Sequence, residues 1–164
     1  MEQLLKNKLK EQKGFTLIEL LAVIVILGII AAIAIPAIGN VIDNSKVNAH
    51  VSNADMLANS ARMAITNDDA ARPAKNASKI LSLNYLTTKG YLESIKDPDG
   101  GSYVAGSSTT PTDTATANTT YVRVTDTDGK LSYEVAIFGT KRQIPLTQLS
   151  SINKETVEAI PTSK

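Results

Sequence analysis

Residues 15–35 read FTLIELLAVIVILGIIAAIAI, an apolar run of 21 residues in which Glu19 is the one ionisable side chain. As a helix rising about 1.5 Å per residue, such a run is roughly 31 Å long, close to the hydrocarbon thickness of a bilayer. No water-soluble fold of modest size buries a helix that is apolar on every side, so the segment needs lipid or other helices around it. Lys6, Lys8, Lys10 and Lys13 precede it, which keeps the N-terminus cytoplasmic and places the chain beyond Pro36 outside. A secretory signal peptide has the same basic start and apolar core, with small residues around Ala31 to Ala37 as a cleavage site, and that reading stays open on these features alone. Pro36 lacks a backbone N–H and predicts a kink or loosened turn near residues 32–36, and Gly28 and Gly39 are further weak points.

Beyond Asp43 the chain turns polar, and the helical pattern continues. Val47, Val51, Ala54, Leu57 or Ala58, Ala61 and Ile65 recur every three or four residues, opposite Asn48, Ser52, Asn53, Asp55, Asn59 and Arg62. One long bent helix from about Phe15 to Thr66 is predicted, its first half apolar all round and its second half amphipathic. Residues 67–76 read as a loop and residues 78–89 as a short helix closed by Gly90. Asp97-Pro98-Asp99-Gly100-Gly101 is turn chemistry. Residues 105–120 are a loop rich in threonine and serine. Two strands, residues 121–125 and 131–138, flank the hairpin signal Asp126-Thr127-Asp128-Gly129. Leu131, Tyr133, Val135 and Ile137 alternate, so one face of this hairpin should cover the amphipathic helix. Gly139 and Pro145 are expected to end it, and residues 151–160 fit a short helix or a strand. The fold class is α+β, a long N-terminal helix whose C-terminal half packs on a small antiparallel sheet.

Composition removes several functions. With 17 basic and 16 acidic residues the formal charge is +1, and no basic face points to nucleic acid. There is no cysteine and a single histidine, which excludes thiolate chemistry, disulfides and His- or Cys-rich metal sites. The glycines form no phosphate-binding fingerprint, and no histidine in the outer part stands ready to activate a serine or threonine. An enzyme is not expected, and neither is a cofactor. Asp97, Asp99, Asp126 and Asp128 are turn formers, with calcium as the other reading, although no glutamate follows at EF-hand spacing. His50 has no visible partner and reads as a surface or packing residue.

The stretch Lys13-Gly14-Phe15-Thr16-Leu17-Ile18-Glu19, with the basic leader before it, the apolar run after it and Pro36 interrupting it, resembles the processing site of type IV prepilins and pseudopilins. The resemblance covers residues 1 to about 66 and is loose beyond. It implies a leader over 1–14, a transmembrane and assembly helix over 15–42, and an extracellular head over 43–164, comprising the amphipathic half-helix 43–66 and the loop and sheet 67–164. It implies that a prepilin peptidase cuts between Gly14 and Phe15 and methylates the new amine of Phe15. It further implies polymerisation into a surface filament for adhesion, motility or DNA uptake, through an assembly platform and its ATPase, from a single-pass precursor in the cytoplasmic membrane. Gly28, Pro36 and Gly39 would then give the helix local flexibility on leaving the membrane. The long leader and missing cysteines are more similar to pilins of Gram-positive bacteria. The alternatives are a major pseudopilin of a secretion or competence machine and, in another class, a monomeric membrane-tethered binding domain.

Glu19 can be argued from physics. A carboxylate inside a membrane helix costs about 2–3 kcal/mol at the centre and less near an end. It lies one helical turn from Phe15, on the same face. When helices bundle, the amine of Phe15 on one subunit can pair with Glu19 of its neighbour and set the axial register.

Overall fold

The computed structural model describes the backbone of residues 2–161 and the side chains of residues 17–161. Helix α1 runs Glu2–Asn67, followed by a 3-10 turn at Asp69–Ala71, strand β1 at Ser78–Ser82, helix α2 at Leu83–Thr88, and strands β2 at Tyr121–Thr127, β3 at Lys130–Phe138, β4 at Arg142–Gln148 and β5 at Glu158–Ala159. The five strands form one antiparallel sheet in chain order. The chain divides into two compact units, residues 1–44 and 45–164.

In the first unit α1 begins thirteen residues before the expected start at Phe15, because the leader is rich in Leu, Lys, Glu and Gln, which favour helix. It stays helical through Gly28, Pro36 and Gly39, so no turn opens at residues 32–36. The proline forfeits one hydrogen bond, and the turns on either side keep theirs. The large apolar side chains from Leu17 to Ile42 are 50–70% exposed.

In the second unit the expected α+β arrangement is present. Ala54, Leu57, Ala58, Ala61, Ala64 and Ile65 of α1 are buried against Leu81, Val122, Val124, Val135, Ile137 and Ile144 of the sheet. The small alanines bring the helix backbone close to the strands, while Leu57 and the β-branched residues fill the gap between them. Leu131 and Tyr133 join this cluster half-buried, so the alternating face of β3 covers the helix as its pattern predicts. The β2–β3 turn is the two-residue type with both central residues at positive φ, Asp128 at 52° and Gly129 at 87°, which matches the right-handed twist of the strands.

Three expectations are corrected. Residues 78–89 are not one helix. Residues 78–82 pair with β2, and only residues 83–88 are helical. Ile80 and Leu81 are both buried, on opposite faces of the sheet, and this short two-sided apolar run imitates a helix stripe. Ser82 makes the switch, its Oγ accepting the N–H of Tyr85 at 3.0 Å as an N-cap. Gly90, at φ 74°, does close α2: its N–H bonds Thr87 O and that of Tyr91 bonds Leu86 O, the Schellman pattern.

Pro145 does not end the hairpin, since it lies inside β4. Ile137 pairs with Ile144 and Val135 with Thr147, so β4 carries one extra residue there, and a proline is tolerated at such a bulge. The tail is neither one helix nor one strand. It forms 3-10 turns at Leu149–Ser151 and Lys154–Thr156 and the two-residue strand β5.

The Thr-rich loop lies over the sheet. Ile80 and Thr112 exchange backbone hydrogen bonds of 2.7 and 3.0 Å, which covers the open edge of β1. On the other side of the sheet from α1, Ile80, Tyr121 and Ala136 form a second small cluster with Leu146 packed on it.

Candidate functional site

Two features stand out, one in each unit. The first is the apolar stretch of α1. Among the described residues it is the one helix long and apolar enough to cross a membrane. Glu19 lies on its exposed surface among Leu17, Ile18, Leu20 and Leu21, all more than half exposed. A Cβ added to Gly28 or Gly39 would meet nothing within 4 Å. The Gly14–Phe15 bond and its side chains lie outside the residues whose side chains are described.

The second feature begins where the second unit does. His50 is fully buried on α1. Its Nδ1 is 2.9 Å from the Tyr103 hydroxyl and its Nε2 is 3.2 Å from Asp99 Oδ2 and 3.7 Å from Asp97 Oδ1. Asn53, one turn further along, donates from Nδ2 to the same Tyr103 oxygen at 2.8 Å and to Lys96 O at 3.2 Å. Hydrogen-bond directions follow from this order. An amide N–H can only donate, so the Tyr103 oxygen accepts from Asn53 and spends its proton on His50 Nδ1. The imidazole proton then sits on Nε2 and points at Asp99.

Asp99 also receives Arg142 Nη1 at 2.8 Å, from the start of β4, and Lys46 at 3.8 Å. Asp97 accepts the backbone N–H groups of Asp99 at 2.9 Å and Thr140 at 2.6 Å. Burial pushes the Asp97 carboxyl up, but those two N–H groups, the Thr140 hydroxyl and His50 outweigh it and hold the group below the ordinary carboxylate value. Burial pushes the Tyr103 hydroxyl up to about 12; the Asn53 bond lowers it, and the charges of Asp97 and Asp99 add to the rise.

Among the described residues, His50, Asp97 and Asp99 are the group whose ligand atoms, all within 4.8 Å of one another, could hold a metal ion. Both Asp97 oxygens already take backbone N–H groups, and Asp99 already holds an arginine and a lysine. A cation entering here displaces these partners and meets two positive charges. As it stands, the arrangement is a fastener: it ties the 97–101 turn to α1 on one side and to the β3–β4 corner on the other. Gly139 is part of it, because a Cβ there would lie 2.8 Å from both Asp97 Oδ2 and the Arg142 carbonyl.

The four aspartates are thus divided. Asp126 and Asp128 serve the β2–β3 turn: Asp126 Oδ1 accepts the N–H groups of Gly129 at 3.0 Å and Asn76 at 3.3 Å, and exposed Asp128 pairs with Lys75 at 3.5 Å. His50, read as a surface or packing residue with no visible partner, is buried with partners at the site's centre, and Asn53, placed on the polar side, is buried. The signal was the spacing: residues 50, 53, 54, 57, 61 and 64 continue one stripe, and its first two members are polar.

A second buried-to-surface bond fastens the other end of the helix. Tyr85 donates to Asp68 Oδ2 at 2.8 Å, just past the end of α1. That hydrogen bond, with the Ala70 N–H, holds the Asp68 carboxyl below its ordinary value.

Residues 9–35 match the family described as the prokaryotic N-terminal methylation motif. The chain is 56% identical over 46 residues to the type IV major fimbrial protein FimA of Dichelobacter nodosus, covering 28% of this chain and 29% of that protein. It is 36% identical over 92 residues to a fimbrial protein of Neisseria meningitidis, covering 54% and 52%, and 47% identical over 57 residues to one of Pseudomonas aeruginosa, covering 35% and 37%. These alignments span from under a third to about half the length of the curated relatives. No solved structure matches the chain. The hosts are Gram-negative, so they lend no support to the expected likeness to Gram-positive pilins. The chain thus carries the prokaryotic N-terminal methylation motif over residues 9–35 and is similar, over its N-terminal part, to type IV fimbrial proteins.

Proposed function

We propose that this chain is a structural filament subunit, cut between Gly14 and Phe15, N-methylated at Phe15 and polymerised through residues 15–42, with the head on the outside. The observation that carries the reading is the unpartnered apolar stretch of α1, whose large side chains are 50–70% exposed. Apolar surface on that scale is stable in lipid before assembly and among sister helices after it. The head supplies an outer body with its own buried core. Prepilin peptidase, an assembly platform and its ATPase are the partners this role requires. A pseudopilus subunit would share the same stem.

The test is mass spectrometry of the mature N-terminus together with electron microscopy of sheared surface material. A methylated Phe15 terminus and thin filaments that contain the chain are expected. A mature protein that begins elsewhere, or that occurs only as isolated membrane molecules, overturns the proposal. Short periplasmic fibres in place of long surface filaments assign it to the pseudopilus.

A further inference from the structure

We propose that Met56 and Met63 form a reversible oxidation site on the open face of α1, where a peroxide converts both thioethers to sulfoxides without disturbing the head. The chain has three methionines and no cysteine. Met1 lies outside the residues whose side chains are described, and the other two share one helix. An exposed position on an amphipathic helix ordinarily carries a polar side chain. Met56 is nonetheless 41% exposed and Met63 51%, and with Val104 they are the exposed large apolar side chains among the described residues of the second unit. Leu57, beside Met56, is fully buried. The helix thus keeps its oxidisable sulfur on the outside and Leu57 and Ile65 within.

The two sulfurs belong to one patch. Seven residues are close to two turns, so the side chains project from the same face roughly 10 Å apart along the axis. Asn59 stands between them, three residues from Met56 and four from Met63. Its Oδ1 takes Arg62 Nη1 at 2.6 Å, which leaves its Nδ2 hydrogens for solvent or for a sulfoxide oxygen. The backbone beneath is held by more than the helical bonds: Met56 O accepts the Ser60 hydroxyl and Met63 O the Asn67 amide, each at 2.8 Å. Neither methionine belongs to the buried core, so a polar oxygen on its sulfur costs no core packing. Oxidation instead turns an apolar patch of this face polar, and reduction resets it.

The step balances with hydrogen peroxide as the oxidant. The thioether sulfur attacks one peroxide oxygen, the O–O bond breaks and an S–O bond forms. Sulfur gives up two electrons, and the departing hydroxide takes the proton of the transferred oxygen and leaves as water. In the return step two thiols of a methionine sulfoxide reductase become a disulfide, the sulfoxide oxygen leaves as water and the thioether is restored.

The experiment exposes the full chain in detergent micelles to hydrogen peroxide, with free methionine in the same solution as the reference. Trypsin places the two sulfurs on separate peptides, residues 47–62 and 63–75. Both peptides should gain one oxygen atom at rates within about fivefold of free methionine, while circular dichroism and the urea midpoint stay unchanged. A mixture of A- and B-type methionine sulfoxide reductases with dithiothreitol should then return both peptides to their starting mass. Leu57→Met in a Met56→Leu background moves the sulfur one residue along, into the core, and its oxidation should be slower than at either natural position. Oxidation of Met56 or Met63 below the fivefold margin, a loss of helical signal on oxidation, a sulfoxide that the reductases leave in place, or oxidation of the Leu57→Met sulfur as fast as that of Met56 overturns the proposal. None of these readouts depends on whether the chain is cut or polymerised, so this proposal and the filament reading fail separately.

Discussion

His50 Nε2 lies 3.2 Å from Asp99 Oδ2, a contact between residues 49 positions apart that joins α1 to the turn at residues 97–101. Both side chains are essentially buried, and each has a second partner, Tyr103 for the imidazole and Arg142 for the carboxylate. Removing the imidazole leaves a hydroxyl and a carboxylate short of a bond and opens a void. His50→Ala should therefore lower the unfolding free energy by about 2–4 kcal/mol. Urea melts of the full chain in detergent micelles, followed by circular dichroism, measure this. A change below about 0.5 kcal/mol, the size of an ordinary surface substitution, would show that the fastener holds nothing.

Gly139 and Gly101 line the same turn and test its tightness from the backbone side. Gly139→Ala places a Cβ 2.8 Å from the Asp97 carboxylate and from the Arg142 carbonyl, and the second of these is backbone that cannot rotate away. Gly101→Ala adds a steric conflict with the Thr140 hydroxyl to a φ of +92°. Each should cost about 1–3 kcal/mol, the range for overpacked sites and residues held in the left-handed region. Gly90→Ala is the control, with a positive φ of 74° but open space around it, and its cost should stay near 1 kcal/mol. A loss for Gly101→Ala no larger than that for Gly90→Ala would mean that only the backbone angle matters there, and an unchanged stability for Gly139→Ala, which has no positive φ, would show that the turn yields to the added methyl.

The pH dependence follows from two groups of this cluster. Asp97 is held below its ordinary value in the fold, so the unfolded chain binds its proton first as pH drops. Its contribution is complete above about pH 5 and is lost as pH falls through the folded value. Tyr103 moves the other way: with a folded value of about 12 against 10.0 for the free group, its contribution is complete below pH 10 and is lost as pH rises toward 12. That loss is of order 2–3 kcal/mol. Tyr103→Phe should flatten the alkaline limb, although Tyr85, raised by burial and by its bond to Asp68, keeps part of it. An alkaline limb unchanged in Tyr103→Phe would remove Tyr103 from the account.

Much of this architecture can be read from periodicity and turn chemistry. The alternation from Leu131 to Ile137 assigns the face that covers α1, and Asp128-Gly129 assigns the hairpin. The failures share one physical origin, which is that they depend on partners distant in the chain. Residues 78–82 become a strand because β2 offers them a ladder forty residues later, and Pro145 survives in β4 because a bulge takes up its missing N–H. His50 and Asn53 look polar and solvated until residues 96–103 fold over them. The apolar, helical character of the stem was legible because it is local, one residue after another, but its early start at Glu2 and its continuity through Pro36 were not.

Glu19 is the one charge on that stem, and it gives the sharpest test of assembly. In the lone chain its carboxylate is exposed, and the surrounding Leu17, Ile18, Leu20 and Leu21 are exposed with it. Packing sister helices around this surface removes the carboxylate from water, which is tolerable only beside a cation. On the proposed processing, the amine freed at Phe15 is one helical turn away on the same face, so a neighbour shifted along the axis can bring its own amine to Glu19. Breaking a buried pair of this kind costs about 3–5 kcal/mol, or a hundredfold or more in the association constant per subunit. Glu19→Ala takes away the carboxylate and leaves the amine as the uncompensated buried charge, and Glu19→Gln does the same with nearly the wild-type shape. Both variants should be cut at Gly14, keep the head folded and remain in the membrane, with sheared filaments reduced to background. Wild-type filament yield from Glu19→Gln would show that shape and apolar packing alone set the register, and that the amine finds its partner elsewhere.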